Sequence, residues 1–556
     1  MTVPSFGPLD ARIMIIGEAP GETEVARGRP FVGYSGELLT SMLAEAGINI
    51  GDCYVCNVCR ERPPKNEIST WMPEAKRAQS ELGATPDGVE CRDRIVHRHI
   101  SDGLATLEKE IDLVRPSLIL LLGNTPMWAV LGHTGVGSWR GSTLTVNRSW
   151  GSCCVVPTYH PAAVLRDWKL RNIVVQDLRR AEDTLRNGIR KPVWNFTVRP
   201  GLWQVTTALR RLLELADTQP LTIANDIETR AGYMTCMGFA WTTTDAICIP
   251  FVSKDRPEGY WTLAEEAQIV YAIYRLLTHP NVTVVGQNYI YDAQYIHRDW
   301  HFRPARVRDT MLAHHVCFPR VSKSLDFIAS MYCDYYVYWK DDGKDWRGDG
   351  DEERYWRYNC EDCIRTLECD TALQSLVDHK GLREQHDFQM KMWTPVLKMM
   401  IKGVKVDKAR YTRMRKELLE YAELCQKEVD LMVGYPINPR SPAQMQRFFY
   451  EELGLPKQLK RGTGKGTFAV SCDDEALSNL AAKEPLVRPI VERIAAYRSC
   501  QTIASNALKT GALGPDGRMR SSFNIAGTYT FRLSSAEDAF GSGLNLENIT
   551  KGEEDA

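Results

Sequence analysis

Short apolar runs alternate with amphipathic helical stretches through the first half of the chain, and this alternation restricts the possible folds more than any other feature. Apolar runs at residues 12–16, 117–122 and 154–157 are separated by helical patterns such as residues 37–46. Strands that alternate with helices predict an α/β sandwich on a mostly parallel sheet. The pattern returns at residues 221–286, which predicts a second α/β domain.

The length of the chain requires more than one hydrophobic core, because single cores stop growing near about 250–300 residues and the chain has 556. We predict an α/β multidomain protein with domains at residues 1–190, 200–380 and 385–556. A Gly/Pro-containing segment at residues 187–200 is interpreted as a linker. The third domain is strongly helical, with a long charged amphipathic helix at residues 411–432.

Composition and charge indicate a folded globular protein and give no sign of a membrane or secreted one. With 44% hydrophobic and 25% charged residues, the chain has the composition of a folded globular protein. The formal net charge of −1 means that any DNA contact must come from local basic patches. The sequence shows neither a signal peptide nor an apolar run of membrane-spanning length, so we expect a cytoplasmic protein without a membrane partner. In that compartment the 16 cysteines are expected to be thiols.

Two carboxylates follow the first strand of the second α/β domain. Asp226 and Glu228 come directly after the apolar run at residues 221–224 and are separated by one residue. Side chains alternate with period two along a strand, so both carboxylates are expected on the same face. Two neighbouring acids repel each other unless a cation lies between them, which points to a metal site.

Further acidic residues follow the same logic. Asp292 comes soon after the strand predicted at residues 282–286, and Tyr358 lies four residues before Asp362, so that both stack on one helical face. Two divalent cations about 3.5–4 Å apart need several hard oxygen ligands, and they lower the pKa of an attacking water. We therefore predict two Mg²⁺ or Mn²⁺ ions, with Tyr358 orienting the water and the ligands being Asp226, Glu228, Asp292 and Asp362.

In this order the motifs resemble the DEDDy exonuclease superfamily, specifically the proofreading 3'-5' exonuclease domain of family A DNA polymerases, over residues 200–380. The resemblance implies a ribonuclease H-like fold and a DNA contact at Asn288. It implies catalytic roles for Asp226, Glu228, Asp292, Tyr358 and Asp362. The pair Asp309 and Thr310 is interpreted as scaffold. Ribonucleases of the same superfamily share these motifs, so the motifs alone leave DNA and RNA substrates both open.

Basic residues in the last third are suited to non-specific phosphate contacts. A glycine-bearing loop carries Lys457, Lys460, Arg461 and Lys465, although a solvated lysine run is the alternative. Arginines also occur at intervals in an extended region rich in Ser, Thr and Asn. There we expect them to supply hydrogen-bond donors near a primer end. These arginines are Arg518, Arg520 and Arg532.

Motifs at residues 403–407, 437–444, 492–498, 530–535 and 545–548 resemble, in order, the thumb and early palm of family A polymerases. The resemblance places Arg532 at the primer terminus, and Phe531 stands where the family usually has glycine. The chain ends at Ala556, where the family continues to the palm carboxylates and the fingers. We therefore expect no polymerisation by this polypeptide alone. A truncated gene product, or a separate polypeptide carrying palm and fingers, would explain this ending.

The N-terminal domain carries a Gly/Pro-rich loop after its first strand, at residues 17–24. Together with Asn57 and the pair His160 and Pro161, this loop resembles uracil-DNA glycosylases of the family 4/5 type. The resemblance implies that Glu18 positions water, Phe31 stacks on a flipped base, Asn57 reads its edge and His160 stabilises the departing uracil. Either excision or docking on DNA would use such a site, since bases are read by stacking and edge hydrogen bonds.

Some bacteriophage polymerases resemble this arrangement, which implies a bacterial or phage-infected host. Family 4 members often carry an iron–sulfur cluster, with a first cysteine pair before the Gly-Glu loop, but no cysteine precedes Cys53 here. Cys53, Cys56 and Cys59, with Cys91 as a fourth ligand, have cluster-like spacing. Their place on a core strand favours buried thiols instead.

The leading hypothesis is a 3'-5' exonuclease within a family A polymerase framework that acts in DNA replication at primer-template and single-stranded 3' ends. A non-catalytic DNA clamp for a separately encoded palm and a stand-alone base-repair glycosylase are the alternatives. The complete set of acids favours the exonuclease, because a clamp does not need them.

Overall fold

The computed structural model describes residues 2–74, 81–82, 87–256, 258–343, 351–461 and 468–548. The chain forms two compact units, Met1–Met390 and Lys391–Ala556. Among the described residues, the helices are all too short or too polar to cross a lipid bilayer. The boundaries predicted for three domains stay a prediction.

The N-terminal part of the first unit is an α/β sandwich, as the alternation of apolar runs predicts. Its elements are β1 (Ile13–Gly17), α1 (Glu22–Arg27), α2 (Tyr34–Glu45), β2 (Cys53–Asn57), β3 (Gly88–Cys91), β4 (Arg94–His97), α3 (Arg98–Val114), β5 (Leu118–Leu122), α4 (Asn124–Leu131), α5 (Val136–Trp139), β6 (Leu144–Arg148), β7 (Gly151–Thr158), α6 (Pro161–Arg166) and α7 (Leu170–Asn187).

The main sheet of this part has the order β2-β1-β5-β7-β6, with all neighbours parallel except β6 and β7. Helices cover both of its faces, so the central strand β5 is buried along its whole length. Successive residues of β1 alternate between the two cores, with Ile15 in one and Ile16 in the other. The carboxyl ends of β1, β2, β5 and β7 therefore meet at one edge of the sheet.

The second part of this unit has its own sheet, in the order β13-β12-β9-β10-β11-β8. Its elements are β8 (Asn195–Thr197), α8 (Leu202–Thr218), β9 (Leu221–Arg230), β10 (Tyr233–Ala240), β11 (Asp245–Pro250), α9 (Leu263–Leu277), β12 (Val282–Gly286), α10 (Ile290–Trp300), β13 (Val307–Asp309), α11 (Thr310–Cys317), α12 (Leu325–Tyr332) and α13 (Glu352–His379). Strand β8 pairs with β11, so part of the predicted linker belongs to the sheet.

Helix α13 packs across β9 and β10, and a glycine permits its close approach. A Cβ atom at Gly238, on β10, would lie 2.4 Å from Oδ1 of Asn359 and 2.7 Å from Sγ of Cys363. Both of these residues lie on α13. The helix can therefore carry its polar side chains directly onto the end of β9.

A buried interface joins the two α/β parts into one unit. Arg140 and Asp177 form an ion pair in which both side chains are 1% exposed. The same guanidinium donates to Oγ of Ser330 at 2.5 Å, across the interface. Arg180 donates to the backbone carbonyls of Ser330 and Cys333, both at 2.9 Å. A buried charge that has lost hydration needs hydrogen-bond partners of this kind.

The second unit is mainly helical, as predicted for residues 385–556. Its elements, beginning with a helix that contains the boundary between the units, are α14 (Arg383–Lys402), β14 (Val404–Lys405), α15 (Lys408–Val433), α16 (Pro442–Gln446), β15 (Leu459–Arg461), β16 (Phe468–Val470), α17 (Asp474–Lys483), α18 (Arg488–Asn506), β17 (Arg518–Met519), β18 (Ser522–Asn524) and β19 (Ser534–Ala536). The predicted long helix is α15, which Asp407 caps by accepting the backbone N–H of Arg410.

Candidate functional site

Three carboxylates meet where helix α13 crosses strand β9. Asp226 and Glu228 lie on β9, and Asp362 lies on α13. One oxygen of each carboxylate lies within 4.8 Å of those of the other two. The alternation of side chains along β9 explains why Asp226 and Glu228 point the same way.

The electrostatics of this cluster favour a cation. Burial, reinforced by the charge of Asp362, raises the pKa of Asp226 to about 7. Burial and the charges of Asp226 and Asp362 also raise the pKa of Glu228 well above its usual value. Like charges in a desolvated site disfavour ionisation, so a bound divalent ion would compensate them. Carboxylate oxygens are also the ligands that Mg²⁺ and Mn²⁺ prefer, and the residues present fit such an ion.

Asp292 lies beside the cluster, in the first turn of α10. Its Oδ1 accepts the backbone N–H of Ile227 at 2.9 Å. Ile227 is the residue between Asp226 and Glu228 in the sequence. Burial, followed by the charge of Asp226, raises the pKa of Asp292 well above its usual value. This carboxylate is thus tied to the strand that carries the other acids, and its predicted role as a metal ligand stays a prediction.

Tyr358 lies on α13 one turn before Asp362, as the spacing predicts, but a lysine joins the pair. The Nζ of Lys340 donates to the hydroxyl of Tyr358 at 2.9 Å and to Oδ2 of Asp362 at 2.5 Å. The indole Nε1–H of Trp339 donates to Oδ1 of Asp362 at 2.6 Å. Burial raises the pKa of Tyr358 far above its usual value, so the hydroxyl keeps its proton.

Sequence reasoning did not find Lys340, Trp339 or Asn359. The Nδ2 of Asn359 donates to Oδ2 of Asp226 at 2.9 Å. Its position next to Tyr358 on the helix could have drawn attention to it. Lys340 and Trp339 lie outside the acidic motifs, and their local sequence carries no comparable signal.

The turn between β12 and α10 carries Asn288, the predicted DNA contact. Asn288 has a left-handed backbone with φ of 55°. Its N–H donates to Oδ1 of Asp309 at 3.1 Å, and the N–H of Tyr289 donates to the other carboxylate oxygen at 2.8 Å. Burial raises the pKa of Asp309 to about 6 despite these bonds. Asp309 thus holds the turn in place, in keeping with its interpretation as scaffold.

A separate cavity of about 310 Å³ opens at the carboxyl edge of the N-terminal sheet. The structure brings the four predicted uracil-site residues to its wall: Glu18, Phe31, Asn57 and His160. Position 17, next to two of these residues, has room only for glycine. A Cβ there would lie 2.3 Å from Oδ1 of Asn57 and 2.6 Å from Cζ of Phe31.

Phe31 is held at the cavity by its backbone. It has a left-handed φ of 54°, and its N–H donates to the carboxylate of Glu24. The second oxygen of Glu24 accepts the N–H of Gly21 at 2.5 Å, which closes the loop that forms one wall. The ring centroids of Phe31 and His160 lie 5.9 Å apart, so an aromatic ring and an imidazole face the same space.

Polar groups of the cavity have defined hydrogen-bonding roles. Burial lowers the pKa of His160 to about 4, so the imidazole is neutral at ordinary pH. Its Nδ1 accepts the N–H of Ala162 at 3.1 Å, which leaves the proton on Nε2. Oε2 of Glu18 accepts the hydroxyl of Thr125 at 2.7 Å. The cavity thus combines the ring of Phe31 with the Nε2–H donor of His160 and the carboxylate of Glu18.

Three family models match the chain: the uracil DNA glycosylase superfamily at residues 4–179, a 3'-5' exonuclease model at 204–378 and DNA polymerase family A at 408–555. The type-4 uracil-DNA glycosylase of Thermotoga maritima is 35% identical over 185 residues, which are 32% of this chain and 81% of that protein. The chain belongs to the uracil-DNA glycosylase superfamily.

The glycosylase-like part is joined to the exonuclease and polymerase parts of a family A DNA polymerase, which confirms the predicted architecture of a multidomain DNA-processing enzyme. DNA polymerase I of Bacillus subtilis is 30% identical over 178 residues, which are 32% of this chain but only 19% of that protein. The POL domain of Pol1 from M. smegmatis, solved with DNA primer-template and dNTP, has a TM-score of 0.48 and 19% identity. That match covers 65% of this chain and 56% of the other.

The cysteines of the glycosylase-like part are distributed over two cores. Cys53 packs on the same face of the sheet as Ile15, whereas Cys56 and Cys59 pack on the opposite face. Burial raises the pKa of the Cys53 and Cys59 thiols to about 12. Iron–sulfur ligands must be thiolates directed to one point, so this arrangement supports a role of these thiols in the cores.

The basic residues of the polymerase-like part have different surroundings. Lys457, Lys460 and Arg461 are exposed on or next to strand β15, and Nζ of Lys460 donates to Oδ2 of Asp473 at 2.6 Å. Lys465 lies outside the described residues. Arg532 is exposed after Phe531, which adopts a left-handed φ of 62°. A residue other than glycine is therefore held in a conformation that favours glycine.

Arg518 and Arg520 bond to the protein itself. Arg518 donates to the carbonyl of Gly403 at 3.1 Å, and Arg520 donates to the carbonyl of Ile401 at 2.8 Å. Arg520 also forms a bidentate pair with Asp516, at 3.1 and 2.6 Å. Both arginines thus hold the end of α14 against strand β17, and their predicted DNA contacts stay a prediction.

Proposed function

We propose that this chain is a 3'-5' exonuclease that hydrolyses the terminal phosphodiester of DNA as the proofreading part of a family A polymerase. The observation that carries the proposal is the cluster of Asp226, Glu228 and Asp362, whose ligand oxygens lie within 4.8 Å of one another. The polymerase-like part at residues 408–555 favours DNA over RNA as the substrate.

The chemistry follows from the groups around this cluster. Bound Mg²⁺ or Mn²⁺ would clamp the scissile phosphate and lower the pKa of the attacking water. Asp226, Glu228 and Asp362 would hold such ions, with Asp292 fixed beside them. Tyr358, which stays protonated, can orient the water through its hydroxyl. Asn359 fixes the rotamer of Asp226 through the 2.9 Å bond to Oδ2.

The test is the double variant Asp226→Ala/Glu228→Ala, with Glu214→Ala as a control from an exposed carboxylate on α8. Degradation of a 5'-labelled primer with a mismatched 3' end should be lost in the double variant and retained in the control. DNA affinity, measured by fluorescence anisotropy in EDTA, should be unchanged in both. A double variant that still degrades the primer would show that the site lies elsewhere.

The cavity supports a second activity, excision of uracil from DNA by the N-terminal part. A flipped base is recognised by stacking and by hydrogen bonds to its edge, and Phe31 and Asn57 offer both. His160 can donate from Nε2 to the departing base. The purified chain should release uracil from a single-stranded oligonucleotide, and Asn57→Ala should remove that activity. Absence of abasic sites with the unmodified chain would leave the domain as a DNA-docking module.

A further inference from the structure

One short segment contacts both the glycosylase-like domain and the exonuclease acids. We name residues 336–340 the bridging segment. On one side, the N–H of Thr143 donates to the carbonyl of Tyr336 at 2.9 Å. The N–H of Tyr338 donates to the hydroxyl oxygen of Ser142 at 3.1 Å. These bonds attach the segment to the backbone and side chains of the glycosylase-like domain.

On its other side, the bridging segment binds both oxygens of one carboxylate. Trp339 donates to Oδ1 of Asp362 and Lys340 donates to Oδ2, at 2.6 and 2.5 Å. The indole hydrogen bond fixes the carboxylate plane, and the ammonium supplies a positive charge. Both bonds come from consecutive residues, so the position of the segment sets both of them together.

The ammonium of Lys340 bonds to an oxygen that a metal ion held by Asp362 would also use. Asp226 and Glu228 are partly buried and Asp362 is buried, and among the described residues Lys340 forms an ion pair with Asp362 in this carboxylate group. A divalent ion bound by Oδ2 of Asp362 would place a second cation within contact of the ammonium. Two positive charges at such a distance repel strongly in a desolvated site, so ion binding requires Lys340 to withdraw.

A helix that begins in the wall of the uracil cavity also contacts the bridging segment. Asn124 and Val136 line the cavity, and Oδ1 of Asn124 accepts the N–H of Val136 at 2.8 Å. Val136 begins α5, which ends at Trp139, and the ring of Trp139 lies 5.2 Å from that of Tyr338. The cavity and the exonuclease acids are thus linked through α5 and the bridging segment.

We propose that Lys340 is a displaceable counter-ion of the exonuclease carboxylates, and that the glycosylase-like domain, by holding the bridging segment, sets their affinity for divalent ions. This inference rests on the proposed exonuclease function. It makes the glycosylase-like domain a positioning element for a metal site in the neighbouring domain.

The first test measures Mn²⁺ binding to the full chain by isothermal titration calorimetry. Lys340→Gln should tighten Mn²⁺ binding by about fivefold or more, the lower range of site-to-site coupling, because the competing cation is gone. Trp339→Phe, which removes the indole donor and keeps an aromatic ring, should weaken binding. The metal-free Lys340→Gln protein should also melt at a lower temperature than the unmodified chain, since its buried acids lose their counter-charge. Unchanged Mn²⁺ affinity in Lys340→Gln would overturn the inference.

The second test is a double-mutant cycle across the domain interface. Trp139→Ala should change Mn²⁺ affinity in the unmodified chain, and this effect should largely vanish in the Lys340→Gln background. Ser142→Ala provides the same cycle if Trp139→Ala folds poorly. Trp168→Ala is the control, because Trp168 is an exposed tryptophan of the same domain. Additive effects of Trp139→Ala and Lys340→Gln would contradict a role of the glycosylase-like domain.

Asp226→Ala separates this inference from the proposed function. Its Mn²⁺ binding should be lost if the cluster is the metal site. Retained binding in Asp226→Ala would refute the proposed function. Lost binding in Asp226→Ala together with unchanged affinity in Lys340→Gln would refute the counter-ion alone.

Discussion

Replacement of Gly238 by alanine should displace helix α13 from the sheet and damage the exonuclease site without touching any of its acids. The added Cβ would lie 2.4 Å from Oδ1 of Asn359, whereas ordinary contacts begin near 3.4 Å. Either the Asn359 amide or the helix must therefore move by about 1 Å. The amide cannot move freely, because its Nδ2 donates to Asp226.

The expected cost has two parts. Overpacking of a tight interface destabilises proteins by about 1–3 kcal/mol, so Gly238→Ala should lower the melting temperature of the first unit. A displacement of about 1 Å in a catalytic constellation can reduce the rate roughly a hundredfold. Single-turnover degradation of a labelled primer at saturating Mn²⁺ measures this second effect.

Gly201→Ala is the matched control, because its added Cβ would meet only Gln204, at an ordinary 3.7 Å. This variant should keep the exonuclease rate. If Gly238→Ala keeps both the melting temperature and the rate of the unmodified chain, the close approach of α13 does not govern the site.

Three further predictions concern other parts of the chain. Gly17→Ala should displace Asn57 and Phe31 in the wall of the uracil cavity, since its Cβ would lie 2.3 Å from Oδ1 of Asn57 and 2.6 Å from Cζ of Phe31; uracil excision should fall to background while primer degradation in the same sample is unchanged. Phe531→Gly should raise the calorimetric melting temperature of the second unit, because a left-handed residue other than glycine costs about 1–2 kcal/mol; Phe531→Ala, which keeps the Cβ, should show no such gain. In EDTA, the first unit should lose stability as the pH rises from about 4 to 7. Over that range the folded state, in which the pKa of Asp226 is raised from 3.8 to about 7, binds more protons than the unfolded state. Asp226→Asn should flatten this dependence, and an equally steep curve in that variant would contradict the assignment.

The parts of the site that could be predicted from the sequence depend on local periodicity. Asp226 and Glu228 are two residues apart on a strand, and Tyr358 and Asp362 are four apart on a helix, so each pair shares a face whatever the rest of the chain does. The alternation of apolar runs and helices likewise predicts both sheets. Strand β8 was not predicted. An edge strand of three residues is too short for an alternation of apolar and polar residues to distinguish it from a linker.

Other features could not be predicted, because they join residues far apart in the chain. Lys340 and Trp339 reach Asp362 only because α13 returns across the sheet to meet the bridging segment. Arg140 finds Ser330, 190 residues later, only in the folded interface. Isolated basic and aromatic residues are common on surfaces, and nothing in their immediate neighbours distinguishes these from the rest.

The sequence by itself determined which residues carry acids, rings and glycines, and which face of its own strand or helix each of them occupies. Those properties depend on backbone geometry over a few residues. The tertiary structure alone decided which charges meet, that a lysine pairs with one carboxylate of the cluster, and that the glycosylase-like domain contacts the segment carrying that lysine. Such contacts depend on how distant elements pack, because desolvation and charge pairing are properties of the assembled site and not of any local stretch.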